Sequence, residues 1–369
     1  MRIGIDARLF KAGLGIGRYI EQLLLHLEKS DNSDEYIIFL RKEMMDVYLP
    51  ANVRFKKVCL DIPWYSLSEQ LIAPIVFMIH NVDIMHFPHF NVPLLYPKKY
   101  ILTIHDLIMI KHAGSSKSAA STLHPLIHAF KYKAYRFVLK TACKRAKAII
   151  AVSTSVKQDM VTLLNIQKDR IHVIYEGCQL TEYQAILPLP SGVRKPYFIN
   201  VGNAYPHKNL NYLLNVFEEL RNEGAQFQLV LCGQQDAFRQ RVINEIENRN
   251  LGGTVIHLGY VPDLQLASLY RQAEAALFPS IEEGFGFGAL EAALLGIPVI
   301  ASRIRVFEEI LQGAAMYIDP FNPHDMIESI KKLDSDEQLR QSFIRKGLNL
   351  KGIYSWDQNA KVTTELYHV

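Results

Sequence analysis

The chain has 369 residues, 49% of them hydrophobic and 21% charged, the balance of a folded globular protein and more chain than one ordinary core absorbs, so two domains are expected. Its four cysteines (Cys59, Cys143, Cys178, Cys232) are scattered without a C-x-x-C pair, which excludes a disulfide frame or a clustered zinc site as the organising feature. Net charge is only +4, yet residues 107–158 hold ten Lys or Arg and no Asp or Glu; the remainder carries −6, and one face of the N-terminal half is expected to meet an anionic partner other than nucleic acid.

The opening run MRIGIDARLF reads at once as a strand and lacks the parts of a secretory signal, so a cytoplasmic protein, or one at the inner face of the plasma membrane, is expected. Further strands are predicted at Tyr36–Leu40, Ile84–His86, Tyr100–Ile104 and Ala148–Val152, after the first at Ile3–Ile5. The most apolar stretch between them, Leu71–Ile79, is too short for the ~20 residues of a membrane span and contains Pro74. From Lys133 the charges Arg136, Lys140, Lys144 and Lys147 recur every three or four residues, opposite Tyr135, Val138, Leu139, Ala142 and Ala146, the pattern of an amphipathic basic helix. That helix is either an ordinary solvated face or a contact for anionic lipid or a lipid-diphosphate acceptor.

The segment LPLPSGVRKP, residues 187–196, breaks regular structure and marks the expected hinge. Beyond it, strands are predicted at Tyr197–Val201, Phe227–Cys232, Val255–Leu258, Ala275–Pro279 and Pro298–Ala301, alternating with helical stretches. Alternation of this kind in both halves implies two parallel-sheet α/β layers, each Rossmann-like. The expected domains are 1–190 and 191–353, followed by a terminal helix over 354–369 with Ser355 as its N-cap.

Ligands of open parallel sheets bind beyond the carboxyl ends of strands. Three strand-to-helix turns are informative there. In GLGIGRY, Gly13–Tyr19, glycines allow close approach to a ligand at a helix start. In VGNAYPHKN, Val201–Asn209, Lys208 is either a solvated loop lysine or a phosphate contact. In FPSIEEGFGFGALEA, Gly284, Gly286 and Gly288 lie between a strand and a helix predicted from Ala289, where free backbone N–H groups favour an anion. Glu283 and Glu291 flank those glycines, and a carboxylate can accept both hydroxyls of a diol; taken alone, each is equally readable as a solvated charge.

In their order these segments resemble the retaining glycosyltransferases of GT-B type, in particular the bacterial mannosyltransferase-like branch of O-antigen, capsule and lipopolysaccharide synthesis. The likeness runs through IGIDAR, GIGRY, TIHDL, AVSTSVKQDM, IYEGC, VGNAYPHKN, the Glu-x7-Glu segment and the closing SWD. It implies two Rossmann-like domains with a cleft between them, acceptor-binding then donor-binding, and a terminal helix crossing back to the first. It implies retaining transfer of a hexose, first mannose from GDP-mannose and next a UDP-sugar, to a glycan or lipid-linked acceptor, without cofactor. Carried onto this chain, it assigns Glu291 to the nucleotide ribose, and Glu283 with the backbone of Gly284, Phe285, Gly286 and Phe287 to the donor sugar. Lys208 and Asn203 fall by the diphosphate, Gly15 and Gly17 on the opposite wall, and His105 at the transferred sugar, with His105, Lys208 and Glu283 forming the catalytic set. His105 itself reads as general base, hydrogen-bond donor or structural histidine. His207 and Asn203 stand where relatives often carry arginine, which puts more weight on Lys208. Neither IHDLI nor VPDLQ supplies the paired aspartates of metal-dependent transferases, so no metal is expected. Two other readings stay open: a sugar-nucleotide epimerase or hydrolase of the same architecture, and a non-catalytic sugar-nucleotide-binding protein.

Overall fold

A computed structural model of the chain describes residues 1–11, 15–30, 33–111 and 125–369, with backbone alone for 125–131. Its elements run β1 (Arg2–Asp6), α1 (Ile16–Lys29), β2 (Glu35–Leu40), β3 (Phe55–Cys59), α2 (Leu67–Ile79), β4 (Ile84–Phe87), β5 (Tyr100–Ile104), α3 (Ile108–Lys111), α4 (Pro125–Arg145), β6 (Ala148–Ala151), α5 (Thr154–Leu164) and β7 (Ile171–Val173). There follow β8 (Tyr197–Val201), α6 (Leu210–Asn222), β9 (Gln228–Cys232), α7 (Ala237–Asn248), β10 (Val255–Gly259), α8 (Asp263–Gln272), β11 (Ala276–Phe278), α9 (Phe287–Leu294), β12 (Val299–Ser302), α10 (Arg305–Leu311), β13 (Ala315–Ile318), α11 (Pro323–Ser335), α12 (Glu337–Asn349) and α13 (Trp356–His368). Among the described residues no helix is long and apolar enough to cross a membrane.

The described residues fall into two units. One takes the chain up to Gly177 together with Ser355–Val369, and the other runs from Cys178 to Tyr354. In the first, the described strands form one parallel sheet in the order β3-β2-β1-β4-β5-β6-β7. Its middle strands read as near-continuous apolar runs (YILTI, AIIA) and are buried throughout, as helices on both faces require. The order reverses between β1 and β4. Helix α13 completes this unit: Ser355 caps it by accepting from Gln358 N, Asn359 donates to the Tyr175 carbonyl at 2.8 Å, and Tyr367 Oη meets His86 Nδ1 at 2.7 Å.

The second unit's sheet is also parallel, in the order β10-β9-β8-β11-β12-β13, and reverses between β8 and β11. Helix α6 buries Leu213, Leu214 and Phe217 against Phe198, Leu229 and Leu231 of β8 and β9. Residues 187–196 are fixed within this unit. Leu187 N donates to Ser268 Oγ of α8 at 2.7 Å, and Arg194 N donates to Gln228 Oε1 at 2.7 Å.

All ten predicted strands are present with bounds within one residue, and three more, β3, β7 and β13, stand at sheet edges. Two details differ from the sequence reading. Helix α4 ends at Arg145, so Lys147 lies beyond the basic helix in which it was counted; helix α9 starts at Phe287, so Gly288 is inside the helix and not in the loop before it.

Candidate functional site

The turns after β8 and β11 flank the point where the second sheet reverses, the place at which open α/β sheets bind ligands. They carry Lys208 and Glu283 respectively, and the structure brings these two side chains into contact. Lys208 Nζ donates to both carboxylate oxygens of Glu283, at 2.6 and 2.8 Å, and Ser280 Oγ donates to Oε1 at 2.8 Å. Ile281 N donates to the His207 carbonyl at 2.7 Å and ties one turn to the other. Burial pushes the Glu283 carboxyl up, but the charges of Lys208 and His207 and the two side-chain hydrogen bonds outweigh it and hold the group below the usual glutamate range. Glu283 is thus held as a carboxylate against Lys208, which stays partly open to solvent.

Helix α9 begins beside it. Gly286 is its N-cap at φ 88° and ψ 44°, and a Cβ there would stand 2.7 Å from the Phe307 ring. Gly288 has a related reason: its Cβ would meet the Phe278 ring at 2.8 Å and the Val201 carbonyl at 3.2 Å, so only glycine lets the helix start sit down on β8 and β11. The first N–H groups of α9 therefore emerge at the switch point and favour a negative charge there. Glu291 is buried one turn into the helix, with Phe285 and Phe287 packed ring to ring at 5.5 Å ahead of it. Asn203 spends its side-chain carbonyl on Tyr205 N at 3.3 Å.

His105, Gly15 and Gly17 belong to the first unit, while Gly13 lies outside the described residues. Gly15 caps α1 at φ 98°. Two residues past Gly17, the Tyr19 ring meets His105 edge-on at 4.8 Å. His105 follows β5, and both its ring nitrogens are engaged: Nε2 donates to the Pro88 carbonyl at 2.9 Å, and Nδ1 lies 3.3 Å from Glu176 Oε1.

Several residues of this arrangement escaped the sequence reading. Glu176, inside the quoted IYEGC, is buried with His105 as the partner of its carboxylate; burial raises its pKa, opposed by His105. Arg239 of α7 is wholly buried, donates from Nη2 to the carbonyl of Gly202 at 2.6 Å, and leaves Nε and Nη1 without partners. It sets a second positive charge beneath the loop that carries Lys208. At the first sheet's own reversal, Arg8 joins Asp6 and Glu69 at 2.7 and 2.6 Å, and Asn91 donates to Glu69 at 2.8 Å. The cavity beside that cluster is about 10 Å³, room for one water. No local signal exposes such sets, because their members lie far apart in sequence. The sequence does contain one Asp-x-Asp triplet that its reading passed over, Asp334-Ser335-Asp336; Asp334 and Ser335 end α11 and Asp336 caps α12 by accepting from Leu339 N at 2.9 Å, so its role is structural.

Two parallel sheets of this order, each reversing beside its first strand, are the GT-B architecture. Residues 14–182 match glycosyltransferase family 4 and residues 188–349 match the glycosyl transferases group 1. The fold is similar to that of sucrose-phosphate synthase from Thermosynechococcus elongatus (TM-score 0.80, 19% identity, 100% of this chain and 98% of that one). It is also similar to Anabaena HepE in complex with UDP-glucose (TM-score 0.72, 18% identity, 100% of each chain). In sequence, the O-antigen chain mannosyltransferase RfbU of Salmonella typhimurium is 27% identical over 353 residues, 92% of each chain. The chain carries a glycosyltransferase family 4 domain followed by a glycosyl transferases group 1 domain, the make-up of a GT-B glycosyltransferase, and fits the bacterial mannosyltransferase-like branch.

Proposed function

We propose that this protein transfers a hexose with retention of configuration, mannose from GDP-mannose before a UDP-sugar, onto a glycan or lipid-linked acceptor of bacterial surface polysaccharide. The observation that supports the reading most is the Lys208–Glu283 pair at the reversal of the second sheet, beside the start of α9. A nucleotide-sugar brings what that place can use: a diphosphate for Lys208 and the helix N–H groups, a ribose diol for Glu291, and sugar hydroxyls for Glu283. Binding trades the Lys208–Glu283 contact for contacts to the donor, so two opposite charges are held ready.

In the reaction the bond from the anomeric carbon to the phosphate oxygen breaks, and its electron pair leaves with the diphosphate. The acceptor hydroxyl oxygen attacks the same face of that carbon, and its proton passes to the leaving phosphate. Lys208 and the α9 N–H groups meet the charge that grows on the diphosphate, the kind of preorganised stabilisation that contributes most in enzymes. This reading gives that role to the protein's own groups in place of a metal ion. His105 is assigned to the transferred sugar, its Nδ1 side held by Glu176 and its Nε2 exchanging the Pro88 carbonyl for a sugar hydroxyl when the donor is bound. The assignment of the first domain to the acceptor is part of the proposal. So is a cytoplasmic location, with Lys133, Arg136, Lys140, Lys144 and Lys147 meeting the inner membrane face.

A thermal-shift series with GDP-mannose, UDP-glucose and the matching ADP and TDP sugars tests the donor. A ligand at a hundred times its Kd adds about 2.7 kcal/mol to native-state stability. Lys208→Ala and Glu291→Ala should each cost about 1.5–3 kcal/mol of donor binding, tenfold to a hundredfold in affinity. Undiminished donor binding and transfer by the double variant refutes the site. NMR of the product's anomeric carbon decides retention.

A further inference from the structure

We propose that helix α2 and the exposed face of α4 form one membrane-docking surface, in which α2 enters the interface of an anionic bilayer and α4 binds its headgroups. This deepens the lipid contact proposed for the basic helix and rests on it.

Helix α2 has a single ionisable side chain, Glu69, and that one is turned inward onto Arg8 and Asn91. Among the described residues its other face is exposed. Leu67, Leu71, Ile75 and Ile79 step along it every four residues and are 83%, 60%, 60% and 67% exposed. Four large aliphatic side chains on one stripe, with no charge between them, are far from the scattered apolar residues of an ordinary surface.

The neighbouring structure supplies charge. Gln70 of α2 accepts from Leu94 N at 2.8 Å, and Leu95 beside it is 61% exposed. From the other side, Arg145 at the end of α4 donates to the carbonyls of Leu94 and Tyr96, and Tyr135 of α4 packs on Phe90 at 4.9 Å. Both helices are therefore anchored on the same 90–96 loop. The side chains that α4 leaves exposed include Lys133, Arg136, Lys140 and Lys144, interrupted by Phe137. An apolar stripe flanked by basic residues is the composition of a helix that lies in the headgroup region of anionic lipid. A second copy of the chain fits the surface poorly, since a two-fold contact sets the same patch against itself and would bring the two basic faces together.

Flotation of the full chain with phosphatidylcholine vesicles, with and without phosphatidylglycerol, tests this. We expect salt-sensitive binding only when phosphatidylglycerol is present. Leu71→Asp with Ile75→Asp should weaken it about tenfold or more by removing the inserted stripe, and Lys140→Glu with Lys144→Glu should weaken it and flatten its salt dependence. Both substitutions are at exposed sites away from the donor loops, so the thermal shift with nucleotide-sugar should be unchanged and reports separately on the transferase reading. If Leu71→Asp with Ile75→Asp floats like wild type, the role of α2 is overturned while that of α4 stands. No binding by wild type, or a stripe whose only effect is on the mass of a self-associated species in solution, overturns both.

Discussion

Glu283 and Glu176 are buried glutamates with opposite electrostatics, and they should make stability depend on pH in opposite ways. Glu283 is held below the usual glutamate range, so its native state binds fewer protons than the unfolded chain. Its contribution is complete above the ordinary glutamate pKa of about 4.3 and is lost as pH falls through the lower native value. Glu176 is raised, so its contribution is complete at low pH and is lost as pH climbs from that ordinary value through the higher native one. Urea unfolding across this range should show Glu283→Gln losing wild type's gain in stability with rising pH, and Glu176→Gln losing an opposing decline. Near neutral pH, Glu283→Gln should cost on the order of 1–3 kcal/mol through the weakened contact with Lys208. Parallel curves for wild type and both variants would dispose of these assignments. The two residues also differ in how readable they were. Glu283 stood out because glycines and a second glutamate surround it, whereas Glu176 acquires meaning only through His105, a residue 71 positions earlier that reaches it by folding.

At the scale of elements, the sheets were legible from their centres outward. Strands such as YILTI and AIIA are buried on both faces and announce themselves as apolar runs. The strands left unread are β3, β7 and β13, each paired on one side only. In β3, FKKVC, two lysines and a partly exposed valine leave little pattern, and β7 is three residues long. Edge strands are kept short or charged because an open ladder invites unwanted pairing, and the same property hides them from hydrophobic periodicity. Helix α9 shows the reverse case, in which glycines displaced the predicted start by two residues because they were taken as loop. Gly286→Ala should put a methyl group into the Phe307 ring and force a left-handed backbone, at a cost of about 1–3 kcal/mol. The shift of α9 should weaken nucleotide-sugar binding as well. Calorimetry of donor binding together with denaturant unfolding checks both effects, and an unaltered variant would mean that the helix start is not fixed by Gly286.

At the scale of the whole chain, both tryptophans, Trp64 and Trp356, lie in the first unit, so tryptophan emission follows that unit alone. Ending the chain after Tyr354 removes Trp356, Leu366 and Tyr367, all buried, and should destabilise the first unit by at least the ~3–5 kcal/mol typical of deleting one large core side chain. The urea midpoint read from Trp64 should fall accordingly, and an unmoved midpoint would show that α13 is dispensable to that core. The two-sheet plan was legible in long periodic segments, while the family and the return of the last helix were implied by the resemblance that the order of motifs carries. The division of the chain between Gly177 and Cys178 carries no comparable signal, for no proline or glycine cluster marks the last strand's exit.

The path of the chain also sets an order of assembly. Residues 178–354 are inserted into the first unit, which is begun at residue 1 and completed only by α13. As the ribosome delivers the protein from its N-terminus at about 5–20 residues per second, the second unit has its whole sequence available while the first still lacks the helix that covers His86 and Tyr19. The first unit to be started is the last that can close, and until then the α1 face that α13 covers stays unpacked.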